Sequence, residues 1–208
     1  MSMEFAVYTR NLPPPSLDRR EILRYAGMVG EASPTLEALL EECLEEITPL
    51  LSYRVCYGEL STDPTREGFC PVFFGMGSRS LERYLSGCEG ALLFAATVGL
   101  ELDRLLARYA TLSPTKALLL QAIGAERIES LCDAFEAEVK EEKARLGLVT
   151  RPRFSPGYGD FSIEAQREIF SLLDCPRRIG LSLNQSLLMS PTKSVTAIIG
   201  IGKQDENY

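Results

Sequence analysis

The stretch GALLFAATVG, residues 90–99, decides how the rest of the chain is read. It is a continuous apolar run of strand length, bounded by glycine, and it reads as a strand buried on both faces. Directly after it comes LELDRLLARYATL (residues 100–112), a helix. Ser113 and Pro114 then cap and restart a second helix. Run to Leu146, that helix is roughly 50 Å long at 1.5 Å per residue. Its first half is apolar around Leu118, Leu119, Ala122, Ile123 and Ala125, while EAEVKEEKARLG is mostly charged and is expected to project into water.

Toward the N-terminus, SPTLEALLEECLEEITPLL places Leu36, Leu39, Leu40, Cys43, Leu44 and Ile47 at a 3.6-residue period. Ser33 and Pro34 open that helix, and REILRYAGM forms a shorter one before it. YRVCYGEL and FCPVFFGMG, rich in β-branched and aromatic residues, read as two strands joined by STDPTREG. SLERYLSG is a short helix ended by Gly87. Toward the C-terminus, SIEAQREIFSLLD is a helix capped by Asp160 or Ser162, and RRIGLSLNQS and KSVTAIIGIG are strands linked by LLMSPT. Strands and helices do not alternate as βαβ units. The expected fold is therefore α+β, with a mainly antiparallel twisted sheet flanked by helices. No linker-like segment interrupts the middle, so residues 1–208 are expected to form a single domain.

Composition narrows the function. The net charge is −7 and no stripe of Lys and Arg appears, so nucleic acid is not an expected partner. No apolar run approaches the roughly 20 residues that span a bilayer, and MSMEFAVYTRNLPPPS lacks the basic-then-apolar order of a secretory signal. A cytoplasmic protein without membrane contact is expected. The six cysteines, Cys43, Cys56, Cys70, Cys88, Cys132 and Cys175, contain no CxxC pair and read as small buried hydrophobes. The chain has no histidine. Ser-His and Cys-His catalysis and imidazole metal ligation are thereby excluded within this chain. Chemistry near neutral pH must use carboxylates, tyrosine, a cofactor or a partner's residues.

RPRFSPGYGDF, residues 151–161, lies between two helical segments. Pro152 and Pro156 restrict the residues before them, and Gly157 and Gly159 open backbone shapes closed to other residues. Arg153 can clamp a carboxylate through two parallel hydrogen bonds, and Tyr158 offers a flat ring beside it. On these grounds alone the stretch reads equally as a structural turn or a recognition loop. Glu126, in LLQAIGAERIESL, is either an exposed helix glutamate or a carboxylate near apolar surface that needs a partner. The glycine patterns GMGSRSLERYLSG (residues 75–87) and GIGK (residues 200–203) lack the surroundings of a nucleotide fingerprint and read as turns.

Three segments, in the same order, resemble the activation domain of cobalamin-dependent methionine synthase. GALLFAATVGLELDRLLARY resembles its strand, Thr-x-Gly turn and acidic helix; KALLLQAIGAERIESL resembles the next helix with its Ala-Glu pair. RFSPGYGDFSIEAQREIFSLLD with LLMSPTKSVTAIIGIG resembles its signature loop, helix and final strand. The resemblance spans about residues 90 to 202, leaving residues 1–89 as an N-terminal helical and hairpin part. It implies that S-adenosylmethionine is bound directly. Arg153 would hold its carboxylate, the backbone at Ser155 and Gly157 its adenosyl part, and Glu126 would lie near its cationic end. Tyr158 would face the corrin of a cobalamin carried by a partner. Asp18 stands as the candidate for the aspartate that family members place near the domain's start. Where they have an aromatic pair in the last strand, this chain has Ile199 and Gly200.

The resemblance further implies a free-standing reactivation subunit for a separate, truncated methionine synthase. It would present a methyl group to cob(I)alamin during reductive methylation, as an accessory to a methyltransferase system, not as a catalyst alone. A non-catalytic docking module with a decayed ligand site, and an accessory to another corrinoid protein, remain as alternatives.

Overall fold

The computed structural model describes residues 6–28, 30–62 and 77–203. All of the expected strand FCPVFFGMG except Gly77 lies outside them, and so does Cys70.

Five strands form the main sheet: β1 (Val7–Asn11), β2 (Arg54–Ser61), β3 (Gly90–Thr97), β4 (Leu148–Thr150) and β7 (Ser194–Lys203). Their order is β1-β2-β3-β7-β4, and every neighbouring pair is antiparallel. A separate two-stranded hairpin joins β5 (Ser182–Leu183) to β6 (Met189–Ser190). The α+β expectation with an antiparallel sheet is what the structure has.

The central strand β3 explains the three-layer arrangement. Successive side chains of a strand point to opposite faces. Leu92, Phe94 and Ala96 enter one core, with α1 (Arg19–Tyr25), α2 (Pro34–Ile47), α4 (Glu101–Leu112) and α5 (Pro114–Ala144). Ala91, Leu93 and Ala95 enter the other, with α3 (Arg79–Leu85), α6 (Ala165–Leu173) and α7 (Cys175–Ile179). An uninterrupted apolar run is what a strand needs when helices cover both of its faces. In the first core Phe94, Phe135 and Tyr57 meet with ring centroids 5.1 and 5.2 Å apart. Each fully buried aromatic of this kind contributes about 1.5–3 kcal/mol.

Several local expectations are corrected. The charged half of α5 projects into water on one face only, where Lys140, Glu141, Ala144 and Arg145 are exposed; its other face is docked. Val139 is buried there, Arg10 of β1 pairs with Glu138 and Glu142, and Lys143 pairs with Glu59 of β2. Opposite charges on the sheet edge hold it down. RRIGLSLNQS is not one strand, because Arg177 and Arg178 belong to α7 and only Ser182–Leu183 is extended. GIGK is not a turn but forms the last four residues of β7. Gly200 is required there by close approach, since a Cβ would stand 2.8 Å from Cys88 Sγ. α6 takes its N-cap at Glu164, and Asp160 caps a different helix.

Cys43, Cys56, Cys132 and Cys175 are buried free thiols and Cys88 is half-buried. Burial pushes the Cys132 thiol up, away from the thiolate that reactive cysteines need. Among the described residues no helix is long and apolar enough to cross a membrane.

Candidate functional site

The loop after β4 is stitched to the sheet residue by residue. Arg151 N donates to Gly200 O, and Phe154 exchanges backbone hydrogen bonds with Ile198 of β7. Between these points the Tyr84 hydroxyl of α3 lies 2.8 Å from Pro152 O and 3.2 Å from Ile198 O, and accepts from Gly200 N at 2.9 Å. Burial pushes its pKa up to about 12, so it stays a neutral donor. The Tyr84 ring stacks on Phe154, which stacks on Phe161, with centroids 5.0 and 5.8 Å apart. Tyr84→Phe should keep the stack and lose these hydrogen bonds, for about 1–2 kcal/mol of stability by denaturant unfolding. A change below about 0.3 kcal/mol would show that the hydroxyl does not hold the loop.

Beyond Phe154 the chain turns sharply. Gly157 has φ 97° and Gly159 φ 59°, both in the region that favours glycine. A Cβ on Gly159 would also stand 2.6 Å from Ser80 Oγ. The turn closes through Gly157 N donating to Phe161 O at 2.7 Å. Asp160 then reaches the start of α3, accepting from Ser78 Oγ, Arg79 N and Ser80 N at 2.7–3.0 Å. Those donors, Ser78 Oγ first, hold the Asp160 carboxyl far below the usual carboxylate range. A depressed folded-state pKa stabilises above the unfolded value of about 4 and is lost as pH falls toward the folded one. Asp160→Asn should therefore flatten the acid side of a melting-temperature-versus-pH curve while leaving the neutral side with a weaker cap. An unchanged acid limb would remove Asp160 from this role.

The loop makes one wall of a cleft of about 480 Å³, lined by Arg153, Phe154, Ser155, Pro156 and Tyr158 together with residues of α5, α6, β6 and β7. That volume lies within the roughly 300–1,000 Å³ typical of small-molecule sites. Tyr158 is 67% exposed at its rim.

Arg153 lies across the cleft wall against α5. Its guanidinium bonds Asp133 and Glu129 at 2.6 Å each and lies 3.1 Å from Glu136, whose other oxygen accepts from Arg153 N. These acids sit at i, i+4 and i+7, on one face of the helix. Burial works against the charge, but Asp133 and its neighbours outweigh it and raise the Arg153 pKa. The arginine is thus cationic, held in place and already partnered.

Asp18 and Glu126 are brought together, but in the neighbouring cavity of about 300 Å³, which Glu129 shares with the Tyr158 cleft. Glu126 is only 2% exposed. It pairs with Arg127 and accepts from Asp18 N at 3.0 Å and Ser130 Oγ at 2.8 Å. The Asp18 side chain caps α1 through Arg20 N and Glu21 N. Ile199 lies in the α5-side core at 1% exposure and does not line the Tyr158 cleft.

Two further cleft residues escaped the sequence reading. Gln166 of α6 and Thr196 of β7 are 5% and 2% exposed, and Gln166 Oε1 and Thr196 Oγ1 have no hydrogen-bond partner. A helical glutamine and a strand threonine carry no signal of their own. The acids facing Arg153 had one, their helical spacing, but nothing in it names the arginine.

The fold is thus α+β, an antiparallel sheet covered by helices on both faces, with a ligand-sized cleft beside the loop that leaves β4. The chain is similar to a solved structure, the MetH reactivation domain bound to AdoHcy, with a TM-score of 0.66 over 98% of this chain and 81% of that one. Sequence identity is 17%, so the likeness is one of fold. No family profile and no curated protein matches the chain.

Proposed function

We propose that the chain binds S-adenosylmethionine in the cleft beside Tyr158 and presents its methyl group to a cobalamin held by a separate module. The observation that carries this reading is the cleft itself, built by the Arg153–Tyr158 loop on a fold whose solved counterpart holds AdoHcy. The residues suit such a ligand. Arg153 supplies a fixed cation for the carboxylate, which would take the place of one of its present acid partners. Glu129, on the wall between the two cavities, offers a carboxylate to the ammonium or sulfonium. Gly157 N–H is already taken by Phe161 O, so Ser155 is the better backbone candidate for the adenosyl part.

The bound sulfonium supplies an activated methyl group, which leaves as the sulfur keeps the C–S electron pair. No general acid or base is needed, which agrees with a chain without histidine. This chain's share is to orient the donor and exclude water; positioning of this kind is worth up to roughly 7–11 kcal/mol in favourable cases. Exposed Tyr158 is the surface at which the corrin would arrive.

The test uses a cobalamin-loaded methionine synthase without its own activation domain, a reductant and S-adenosylmethionine. Adding this protein should convert the cob(II)alamin spectrum to that of methylcobalamin. No acceleration over the same mixture without it rejects the proposal. The second reading, a docking module that has lost the ligand, is favoured by one observation: the Arg153 guanidinium is already satisfied by acids. Binding to the synthase with no response to S-adenosylmethionine would support it.

A further inference from the structure

Three carboxylates of α5 close on one guanidinium, and they do not share one task. Glu136 lies 3.1 Å from Arg153 Nη1, accepts from Arg153 N at 2.8 Å and is only 23% exposed, so it fixes the arginine in place. Glu129 accepts from Nη2 at 2.6 Å and lines the Tyr158 cleft. Asp133 accepts a single bond from Nη1 at 2.6 Å, lines the neighbouring cavity and is 68% exposed. A cation already held by Glu136 and Glu129 does not need a third anion to stay in place. With Asp133 present, this wall carries two negative charges beyond the one that Arg153 balances. Fixed charge of this kind acts on the net charge of whatever occupies the cleft, without touching it.

Methyl donation changes that net charge. The C–S electron pair stays on sulfur, the sulfonium becomes a neutral thioether, and the ligand loses its one net positive charge. We propose that Asp133 is a specificity-determining residue whose surplus charge makes the site favour the sulfonium donor over the thioether product, so that loss of the methyl group itself promotes release. This rests on the reading that the cleft holds S-adenosylmethionine, and it assigns Asp133 no contact with the ligand.

Calorimetric titration of S-adenosylmethionine and S-adenosylhomocysteine tests this. The two share base, ribose and amino-acid tail, so the ratio of their affinities isolates the sulfonium. The wild type should bind the donor more tightly. Asp133→Asn should lower the ratio roughly threefold, the effect of one partly solvated charge. Glu129 and Glu136 still hold the guanidinium in that variant. Glu45→Gln removes a charge from an exposed position of α2 that lines neither cavity, and should leave the ratio unchanged. A merely structural role for Asp133 would weaken both ligands alike and leave the ratio where it was. That result overturns the inference alone. So does wild-type binding of the product as tightly as the donor, or an equal fall in the ratio with Glu45→Gln. Binding of neither compound by the wild type overturns it together with the proposed function.

Discussion

Arg127→Leu should destabilise the protein by about 3–5 kcal/mol, the range for removing one partner of a buried ion pair. Arg127 is 4% exposed and Glu126 2%, so the remaining carboxylate would be stranded in the core. The guanidinium also holds Pro15 O and Ser16 O at 2.8 and 2.7 Å, tying the segment before α1 to α5. For a domain of this size the expected fall in melting temperature is on the order of 10 °C. The double variant Glu126→Gln with Arg127→Leu should recover part of the loss. A glutamine oxygen can still accept from Asp18 N and Ser130 Oγ, and no charge is left unpaired. A double variant no more stable than Arg127→Leu would show that the carbonyl contacts, not the ion pair, are what the arginine supplies. The experiment also separates two roles for Glu126. A carboxylate kept for the ligand's cationic end would, when changed to glutamine, reduce affinity while sparing stability.

The second large effect is on binding. Arg153→Ala should weaken S-adenosylmethionine by about 2–3 kcal/mol, roughly 30- to 150-fold, as expected when a charged hydrogen-bonded contact is lost. Removal also leaves Glu129, Asp133 and Glu136 facing the ligand's carboxylate with no cation between them. Arg153→Lys keeps the charge but loses the planar fork, and should fall between the two. Titration of the three proteins decides it, with far-ultraviolet circular dichroism to confirm the fold. Equal affinity in all three would remove Arg153 from the site and move the carboxylate's partner elsewhere.

What could be read in the sequence follows from how local the cause was. β3 was legible because helices cover both of its faces, which demands an unbroken apolar run. α2 and the first half of α5 were legible from their apolar period. β1, VYTRN, was not. It is an edge strand with Tyr8 56% exposed and has no alternation to find. β4, β5 and β6 have two or three residues each, and only their partners make them strands. The charged half of α5 misled because Arg10 and Glu59, which anchor it, lie far away in the sequence. The loop at 153–158 was visible through its prolines and glycines, since those residue types report backbone shape directly. The division of the candidate residues between two cavities, and the idle oxygens of Gln166 and Thr196, depend on tertiary contacts that no spacing encodes.

The central claim is that the bend at Arg153–Tyr158 grips a sulfonium methyl donor. Isothermal calorimetry of the wild-type chain with S-adenosylmethionine, followed by the same titration of Arg153→Ala, tests it most directly. The account predicts one site per chain with saturable heat, weakened at least 30-fold in the variant. No heat with the wild type, or heat that Arg153→Ala leaves untouched, would contradict it.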